Sequence, residues 1–447
     1  MSEALPKGWA RVSLGEIRLS RAGRAVVRSR PDEVFELWSV PSYAAGTPEI
    51  LRGREIGSDK QTVTAGTVLV CRINPRINRI WIVGPKGAHE QIASTEWVPF
   101  FPVEGIVPAF LRYYMEQELF RQYLASNVSG VGGSLMRVRP EVVERFPVLI
   151  PPTAEQRRIV AALEELLSRL DAAVAALERV RAALPRYRAA VLKAACEGRL
   201  VEEEVTPATM WSQVTVGQVA TEVRYGSSSK ASENGNGVPV LRMGNIVDGG
   251  LDVRSLKFLP SEHDEFPALL LERGDVLFNR TNSPELVGKT AVYRGTPSPC
   301  SFASYLIRIR LAPECLPDFL AFTLNSAVGR DWIRSVVSQQ VGQANVSGGK
   351  LKNFSFALPP VADQQGIVAE VDRRLSLADA ADRAVSAGLA KAKRLRQAIL
   401  KRAFEGKLVP QDPNDEPASQ LLERIRKERA SAAPVARTHS NRARAKE

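Results

Sequence analysis

Ile150-Pro151-Pro152-Thr153-Ala154-Glu155-Gln156-Arg157-Arg158-Ile159-Val160 returns later in the chain as Leu358-Pro359-Pro360-Val361-Ala362-Asp363-Gln364-Gln365-Gly366-Ile367-Val368, an offset of 208 residues (359 − 151). Carried forward without a gap, the same offset pairs Leu192-Lys193-Ala194-Ala195-Cys196-Glu197-Gly198-Arg199-Leu200-Val201 with Leu400-Lys401-Arg402-Ala403-Phe404-Glu405-Gly406-Lys407-Leu408-Val409. An earlier pair, Trp9-Ala10-Arg11-Val12-Ser13-Leu14-Gly15 and Trp211-Ser212-Gln213-Val214-Thr215-Val216-Gly217, has an offset of 202 (211 − 9), so the segments between differ in length. The chain is a tandem duplication of a variable block and a constant block. Its period is several-fold longer than that of a solenoid repeat, which points to two whole units and not to an array.

The constant block reads as one long helix. After Ile159, apolar or small residues fall at Leu163, Leu166, Leu170, Ala173, Leu177, Val180, Leu184, Tyr187 and Val191, alternating in steps of four and three, with Glu164, Arg169, Glu178, Arg179 and Arg181 off that seam. Such spacing is a coiled-coil stripe. Pro151-Pro152 cannot lie inside a helix, Thr153 suits an N-cap, and Gly198 follows the last periodic turn as a C′ residue. Residues 154–197 would then form a rod of about 65 Å, bent at Pro185. The second copy has the same length and a smaller-faced seam at Ile367, Val371, Ala378, Ala381, Val385, Leu395 and Ile399. A lone rod cannot hide its stripe, so the two rods are expected to pack on each other; the plainer alternative is that each covers its own domain.

Length and composition bound the rest. With 447 residues, the chain has room for two to four domains, each able to bury a core without metals or disulfides. Lys and Arg number 61 against 49 Asp and Glu, a surplus of 61 − 49 = +12 that favours an anionic partner. At 44% hydrophobic and 25% charged, that surplus belongs to a folded surface and not to a disordered polycation. Cys71, Cys196, Cys300 and Cys315 stand far apart, form no zinc spacing with His89, His263 and His439, and are expected to be reduced thiols. The N-terminus lacks an apolar signal core and no uncharged stretch is long enough to span a bilayer, so a soluble cytoplasmic protein is expected.

The variable blocks mix β-rich runs, such as Gly66–Cys71 and Gly274–Phe278, with helical stretches at Pro108–Leu124 and Leu316–Ser338. The fold class expected is α+β: two mixed α/β domains in tandem, each followed by a long helix. The boundaries read as 1–150, 151–204, 205–358, 359–409 and 410–447, the last a short charged helix at Ala418–Arg429 and a disordered basic tail from Ser431. Catalytic motifs are missing. Gly288-Lys289-Thr290 lacks the first glycine of a P-loop and the strand-to-helix turn, Asn74-Pro75-Arg76 is not the Asn-Pro-Pro-aromatic loop of amino methyltransferases, and no clustered carboxylates suit a metal-dependent nuclease.

What the blocks do offer is duplex-reading chemistry. Arg21, Arg24, Arg28 and Arg30 crowd one stretch, Arg52 and Arg54 follow, and Arg72, Asn74, Arg76, Asn78 and Arg79 occupy a loop after a strand. The second block has Tyr225, Ser227, Ser228 and Lys230, then Arg242 and Asn245, then Asn279, Arg280, Thr281 and Asn282, with Lys289 beyond. Arginine pairs with guanine O6 and N7, asparagine with adenine N6 and N7, and Ser, Thr and Lys hold phosphates. A single such arginine is more often a solvated charge; Arg and Asn together in two corresponding loops carry the signal. Cys71-Arg72-Ile73-Asn74 is set here against Phe278-Asn279-Arg280-Thr281.

The repeated Leu/Ile-Pro-Pro-x-Ala-Glu/Asp-Gln, the helix ending Leu-Lys-x-Ala-x-Glu-Gly-Arg/Lys-Leu-Val, Gly274-Asp275-Val276-Leu277-Phe278-Asn279-Arg280, and the closing Leu408-Val409-Pro410-Gln411-Asp412-Pro413-Asn414-Asp415-Glu416-Pro417-Ala418 together resemble the DNA-specificity subunit of type I restriction-modification systems. The likeness spans the chain to about residue 430. It implies a non-catalytic subunit whose two target-recognition domains, held apart by an antiparallel helix pair, each read half of an asymmetric bipartite site on double-stranded DNA. It further implies two methyltransferase subunits docked on the rods, for which Leu163, Leu166, Leu170, Leu177, Ile367 and Val371 are the interface candidates. Restriction/motor subunits would complete the complex. S-adenosylmethionine, ATP and Mg would reside on those partners, with no metal or cofactor on this chain. Two rival readings are a self-contained DNA methyltransferase or nuclease, which requires motifs absent here, and a coiled-coil scaffolding adaptor, which gives the variable blocks no reason to diverge.

Overall fold

The computed structural model describes residues 5–128, 136–201, 206–233, 235–340 and 343–432. Two helices of 44 residues, Thr153–Cys196 and Val361–Phe404, are its longest elements, and the first runs through Pro185 without a break. The chain forms two compact units, Met1–Ala175 with Gly388–Glu447, and Ala176–Ala387. Each rod is thus divided near its middle, whereas the repeat had suggested rods separate from the domains. The physical reason is burial: the two ends of a rod serve different cores.

In the first unit the start of the first rod, Ile159, Leu163 and Leu167, shares a core with the end of the second, Leu400, Ala403 and Phe404. Phe404 also stacks edge-on against Phe110 and Tyr114. Ala10–Ser13 pairs antiparallel with Pro147–Ile150, closing the variable block where the rod begins. A five-stranded sheet in the order Arg24–Ala25, Lys60–Thr62, Glu90–Ser94, Val34–Trp38, Glu49–Arg52 accompanies a three-stranded sheet centred on Val68–Cys71. The helix Ala418–Ala432 buries Ala418, Leu421, Leu422 and Ile425 in this unit's core. Gly105, at φ +81°, makes room for it, since a Cβ there would lie 2.4 Å from Leu421 Cδ1. Of the basic tail expected from Ser431, Ser431 and Ala432 complete this helix, and residues 433–447 lie outside the described residues.

The second unit repeats the plan with the rod ends exchanged: Val191 and Ala195 of the first rod share a core with Ile367 and Val371 of the second. Ser212–Thr215 pairs with Ser355–Leu358 as the counterpart of the closing pair in the first unit. A four-stranded sheet runs Ala220–Tyr225, Leu306–Leu311, Val276–Asn279, Thr290–Val292, and Thr281–Asn282 joins a smaller sheet with Gln343–Asn345 and Ser338–Gln340. In each unit the rods are cross-linked by an ion pair at 2.5 Å, Asp171–Arg396 in the first and Asp379–Arg188 in the second. These four residues are themselves related by the offset of 208, and the pairing of one rod's start with the other's end makes the rods antiparallel.

The repeated motif has a structural duty that its sequence did not disclose. Gln156 is fully buried; its Nε2 donates to the carbonyls of Gly105 and Pro151 at 3.1 and 3.0 Å, and its Oε1 accepts from the Val107 amide at 2.9 Å. Gln364 does the same with Glu314, Pro359 and the Leu316 amide at 2.8, 2.8 and 2.7 Å. Each glutamine ties the rod's first turn to the entry of a core helix, Pro108–Met115 or Pro317–Asn325. At the other end Gly198 and Gly406 take φ of +66° and +68°. The following amides, Arg199 and Lys407, bond back to the carbonyls of Ala194 and Arg402, which is the Schellman closure expected of C′ glycines.

The seam of the first rod is displaced from the one read in the sequence. Leu163, Leu170, Leu177, Leu184 and Val191 do face inward or partly so, but the alternating positions are Leu167, Val174 and Arg188, each one residue later than Leu166, Ala173 and Tyr187. Ala173, Val180 and Tyr187 are exposed, and in the second rod so is Leu395. Leu166-Leu167 and Ala173-Val174 each offer two apolar neighbours, and packing against the block chooses the second. Among the described residues no helix is long and apolar enough to cross a membrane.

Candidate nucleic-acid interface

Arg72 leaves the end of strand Val68–Cys71, and Arg280 leaves the end of strand Val276–Asn279. Their backbones are held alike. The Arg72 amide donates to Glu96 O at 3.0 Å and its carbonyl accepts from Val138 N at 2.9 Å; the Arg280 amide donates to Tyr305 O at 2.9 Å and its carbonyl accepts from Val346 N at 2.9 Å. Ile73 bridges to Arg137 as Thr281 pairs with Asn345. Arg72 and Arg280 are therefore equivalent, at the offset of 208, and the alignment one residue off that the sequence suggested is corrected: Cys71 answers Asn279, and Arg72 answers Arg280.

The two arginines are held by different chemistry. In the first unit Glu96 accepts from Arg72 Nε at 3.1 Å and from Arg137 Nη2 at 2.9 Å, so one carboxylate fixes two guanidinium groups at a half-exposed site. Side-on capture through Nε leaves the Nη pair of Arg72 with no hydrogen-bond partner among the described residues. In the second unit the Arg280 guanidinium lies over the Tyr225 ring at 4.8 Å, with a long contact from Nη1 to Ser304 O at 3.4 Å. The Tyr225 hydroxyl accepts from the Gly348 amide at 2.6 Å, and Thr281 Oγ1 donates to Asn345 Oδ1 at 3.3 Å. Tyr305 stands beside them, 47% exposed. Glu96, Arg137, Tyr305 and Asn345 were not singled out from the sequence, because each arrives from a turn, strand or bridge far along the chain. The offset between 137 and 345 was the one available signal.

Several expected readers turn out to be scaffold. Asn279 is fully buried, and Asn245 is buried with its Nδ2 on Asp252 O and Ser255 O at 2.7 and 3.1 Å and its Oδ1 on the Arg242 amide at 2.8 Å. Neither presents an edge to a base. Ser227 is likewise buried, its hydroxyl accepting from Ser229 N at 3.1 Å, while Ser228 and Lys230 are exposed on the same turn. Asn282 Oδ1 accepts from the Ser283 amide at 2.9 Å. Asn74 and Asn78 adopt φ of 49° and 52°, left-handed conformations that asparagine tolerates, and Asn78 Nδ2 also donates to Met115 O at 2.8 Å. Backbone demand accounts for both.

Around the first block most arginines meet local acceptors. Arg24 pairs with Asp59, Arg28 with Gly57 O, Arg30 with Glu90 and Arg54 with Asp32; Arg21 and Arg52 are exposed. Arg76 is exposed and lines a groove with Arg121, Lys393 and Arg396, to which neither Arg72 nor Glu96 contributes. Arg79 faces Cys71, whose thiol burial pushes up. Lys289 lines a different pocket with Arg188 and Asp318, and Thr290 is buried within a strand, so Gly288-Lys289-Thr290 closes a hairpin and cradles no phosphate. Of the rod candidates, Leu163, Ile367 and Val371 are buried in the units' own cores and cannot form an interface with another chain; Leu166, Leu170 and Leu177 are half-buried. All four cysteines are free thiols, with burial pushing Cys300 and Cys315 up to about 12. No cluster of metal-ligating side chains occurs among the described residues.

Comparison with known proteins places this geometry. The family model described as type I restriction modification DNA specificity domain matches residues 209–376, which run from near the start of the second variable block into the second rod. The specificity subunit of type I restriction enzyme EcoKI from Escherichia coli K12 is 31% identical over 344 residues, 74% of either chain. That of StySPI from Salmonella potsdam is 28% identical over 341 residues, 74% of this chain and 73% of it. Among solved structures, a chain from a study of assembly and conformational transition in a type I R-M system has a TM-score of 0.72 at 24% identity, covering 91% of this chain and 100% of its own. The HsdS subunit from Thermoanaerobacter tengcongensis has a TM-score of 0.61 at 24% identity, covering 91% and 99%. These last two likenesses speak to the fold alone.

Proposed function

The chain belongs to the specificity subunits of type I restriction enzymes, and from that premise we propose that its two units each read one half of a split DNA site, with Arg72 and Arg280 as the corresponding base readers. The observation that carries this reading is their equivalence: the same backbone cradle presents a guanidinium at the end of the same strand in both units. A guanidinium held from one side offers its remaining N–H groups as a fork for guanine O6 and N7, worth about 1–3 kcal/mol of discrimination per well-made pair. The divergence of the holders explains why two units of one frame would select different letters. The basic surplus of the chain supplies attraction to phosphates that falls with salt and carries no sequence information.

On this reading the chain carries no active site. Methyltransferase subunits bring S-adenosylmethionine and receive the target adenines, and restriction/motor subunits bring ATP and Mg chemistry. Docking of the methyltransferase on this chain uses rod surface outside the cores, which favours the half-buried Leu166, Leu170 and Leu177 over the buried Leu163, Ile367 and Val371.

The test is co-expression with the neighbouring methyltransferase subunit and mapping of methylated adenines across genomic DNA. A split motif with a fixed gap, present only with this chain, is expected. Exchange of residues 205–358 for the second block of another specificity subunit should then change one half and leave the other. A stable complex that yields no motif would favour the scaffolding adaptor, and methylation or cleavage by this chain alone would reveal an active site of its own.

A further inference from the structure

The reader arginine is common to both units, so it cannot by itself make the half-sites differ. Difference must come from the residues that surround it, and the backbone equivalence identifies them. The carbonyls of Glu96 and Tyr305 accept from the two arginine amides, and Arg137 and Asn345 precede the two valines whose amides donate to the arginine carbonyls. In the first unit these positions carry a carboxylate and a second arginine, with Glu96 bridging both guanidinium groups at 3.1 and 2.9 Å. In the second they carry an exposed aromatic ring and an amide, and Arg280 is steadied by Tyr225 at 4.8 Å instead.

Resting on the reading that the chain selects DNA, we infer that positions 96 and 137 in the first unit, and 305 and 345 in the second, set the difference between the two half-sites around a common reader arginine. The chemistry gives each set a direction. Glu96 holds Arg72 through Nε, which leaves the Arg72 Nη pair as a fork matched to the acceptor edge that guanine presents in the major groove, and the same carboxylate holds Arg137 through Nη2. Asn345 carries both a donor and an acceptor on one amide, which matches adenine beside the base read by Arg280, while the Tyr305 ring offers apolar contact to a neighbouring base or a thymine methyl. Because both sets occupy the same two backbone positions, exchanging side chains between them requires no change of frame.

The experiment uses the full chain co-expressed with its methyltransferase subunit, with methylated adenines mapped across genomic DNA for the wild type, for Glu96→Gln, and for the double variant Tyr305→Glu with Asn345→Arg. Glu96→Gln removes the charge that orients two arginines; the first half-site should lose about tenfold or more of its preference at one or two adjacent bases, with the second half-site unaltered. The double variant should change only the second half-site, toward guanine. Tyr305 is exposed, and an unaltered half-site reports a folded complex in each case; where the double variant fails to assemble, Tyr305→Glu alone carries the test of the second half-site. A motif unchanged in both variants, with methylation merely slower at every site, would overturn the inference and leave the four residues structural. A wild-type chain that yields no split motif would instead overturn the reading of the whole protein.

Discussion

Replacing Gln364 with leucine tests whether the repeated Pro-Pro-x-Ala-Glu/Asp-Gln motif is a structural clamp. The side chain is fully buried and makes three hydrogen bonds to backbone groups, accepting from Leu316 N at 2.7 Å and donating to Glu314 O and Pro359 O at 2.8 Å each. Leucine fills much of the volume but leaves three backbone groups facing hydrocarbon. At roughly 1 kcal/mol per lost bond, and more where a buried group stays unpaired, the cost is at least about 3 kcal/mol. Native-state amide exchange reads this locally. Leu316 N–H loses its acceptor, and a drop of about 3 kcal/mol in opening free energy corresponds to roughly 100-fold faster exchange. Val107, whose amide bonds to Gln156 in the other unit, should keep its rate. Gln364→Glu should be worse than leucine, because it places a charge in the same buried site and loses both donors. Acceleration of the Leu316 amide by less than fivefold in Gln364→Leu would refute the clamp and return the motif to the role of a simple helix start.

Arg280→Lys keeps the charge but loses the fork, so binding at low salt should change little while preference for one base in the second half-site falls about 5- to 100-fold, as read by competition with single-base-substituted duplexes. Leu421→Glu puts a charge into the first unit's core, where Leu421 is 3% exposed; stability measured by urea unfolding should fall by about 3 kcal/mol or more, and truncation before Ala418 should have a comparable effect. Burial holds the Glu155 carboxyl above its ordinary value, with Trp9 and Arg158 opposing. An acid raised in the folded state favours its protonated form there, so wild type is penalised above the folded value and unpenalised below the unfolded one. Glu155→Gln should therefore be the more stable protein at pH 7, with its advantage vanishing as pH falls toward about 4, checked by melting curves across that range.

The duplication, the rod limits and the C′ glycines were legible because each is a local signal: proline pairs, heptad spacing and glycine at a left-handed turn all act within a few residues. The seam was legible only in part. Leu166 and Leu167 are equally apolar, and nothing local says which of the two the block will cover; packing buries Leu167. Polar residues misled for the opposite reason. Asn245 and Asn279 have the chemistry of base readers, yet Asn245 spends its hydrogen bonds on its own turn and Asn279 lies wholly inside the hairpin base, and no sequence pattern distinguishes an amide facing in from one facing out. Glu96 and Tyr305 were invisible because their place beside the arginines is fixed by cross-strand backbone bonds between residues 24 and 25 positions apart (96 − 72 and 305 − 280).

Antiparallel pairing of two copies of one block has a consequence that a parallel pair would not have. Each unit receives the start of one copy and the end of the other: Gln156 with Gly406 in the first, Gln364 with Gly198 in the second, and an Asp–Arg pair drawn from both copies in each. Every fixed element of the frame, the clamp, the cap and the cross-link, is thereby supplied once to each unit from a single repeated sequence. The frame is then equal on both sides, and inequality is left to the variable blocks. Within those blocks the backbone at the strand end that carries Arg72 or Arg280 is held by the same pair of main-chain bonds in both units. The side chains of residues 96, 137, 305 and 345 are consequently not what sets the backbone there, while those of Gln156 and Gln364 are. On the proposed reading, such a protein changes what it reads by changing side chains at a few half-exposed positions, with the rods, the clamps and the two equivalent arginines left as they are.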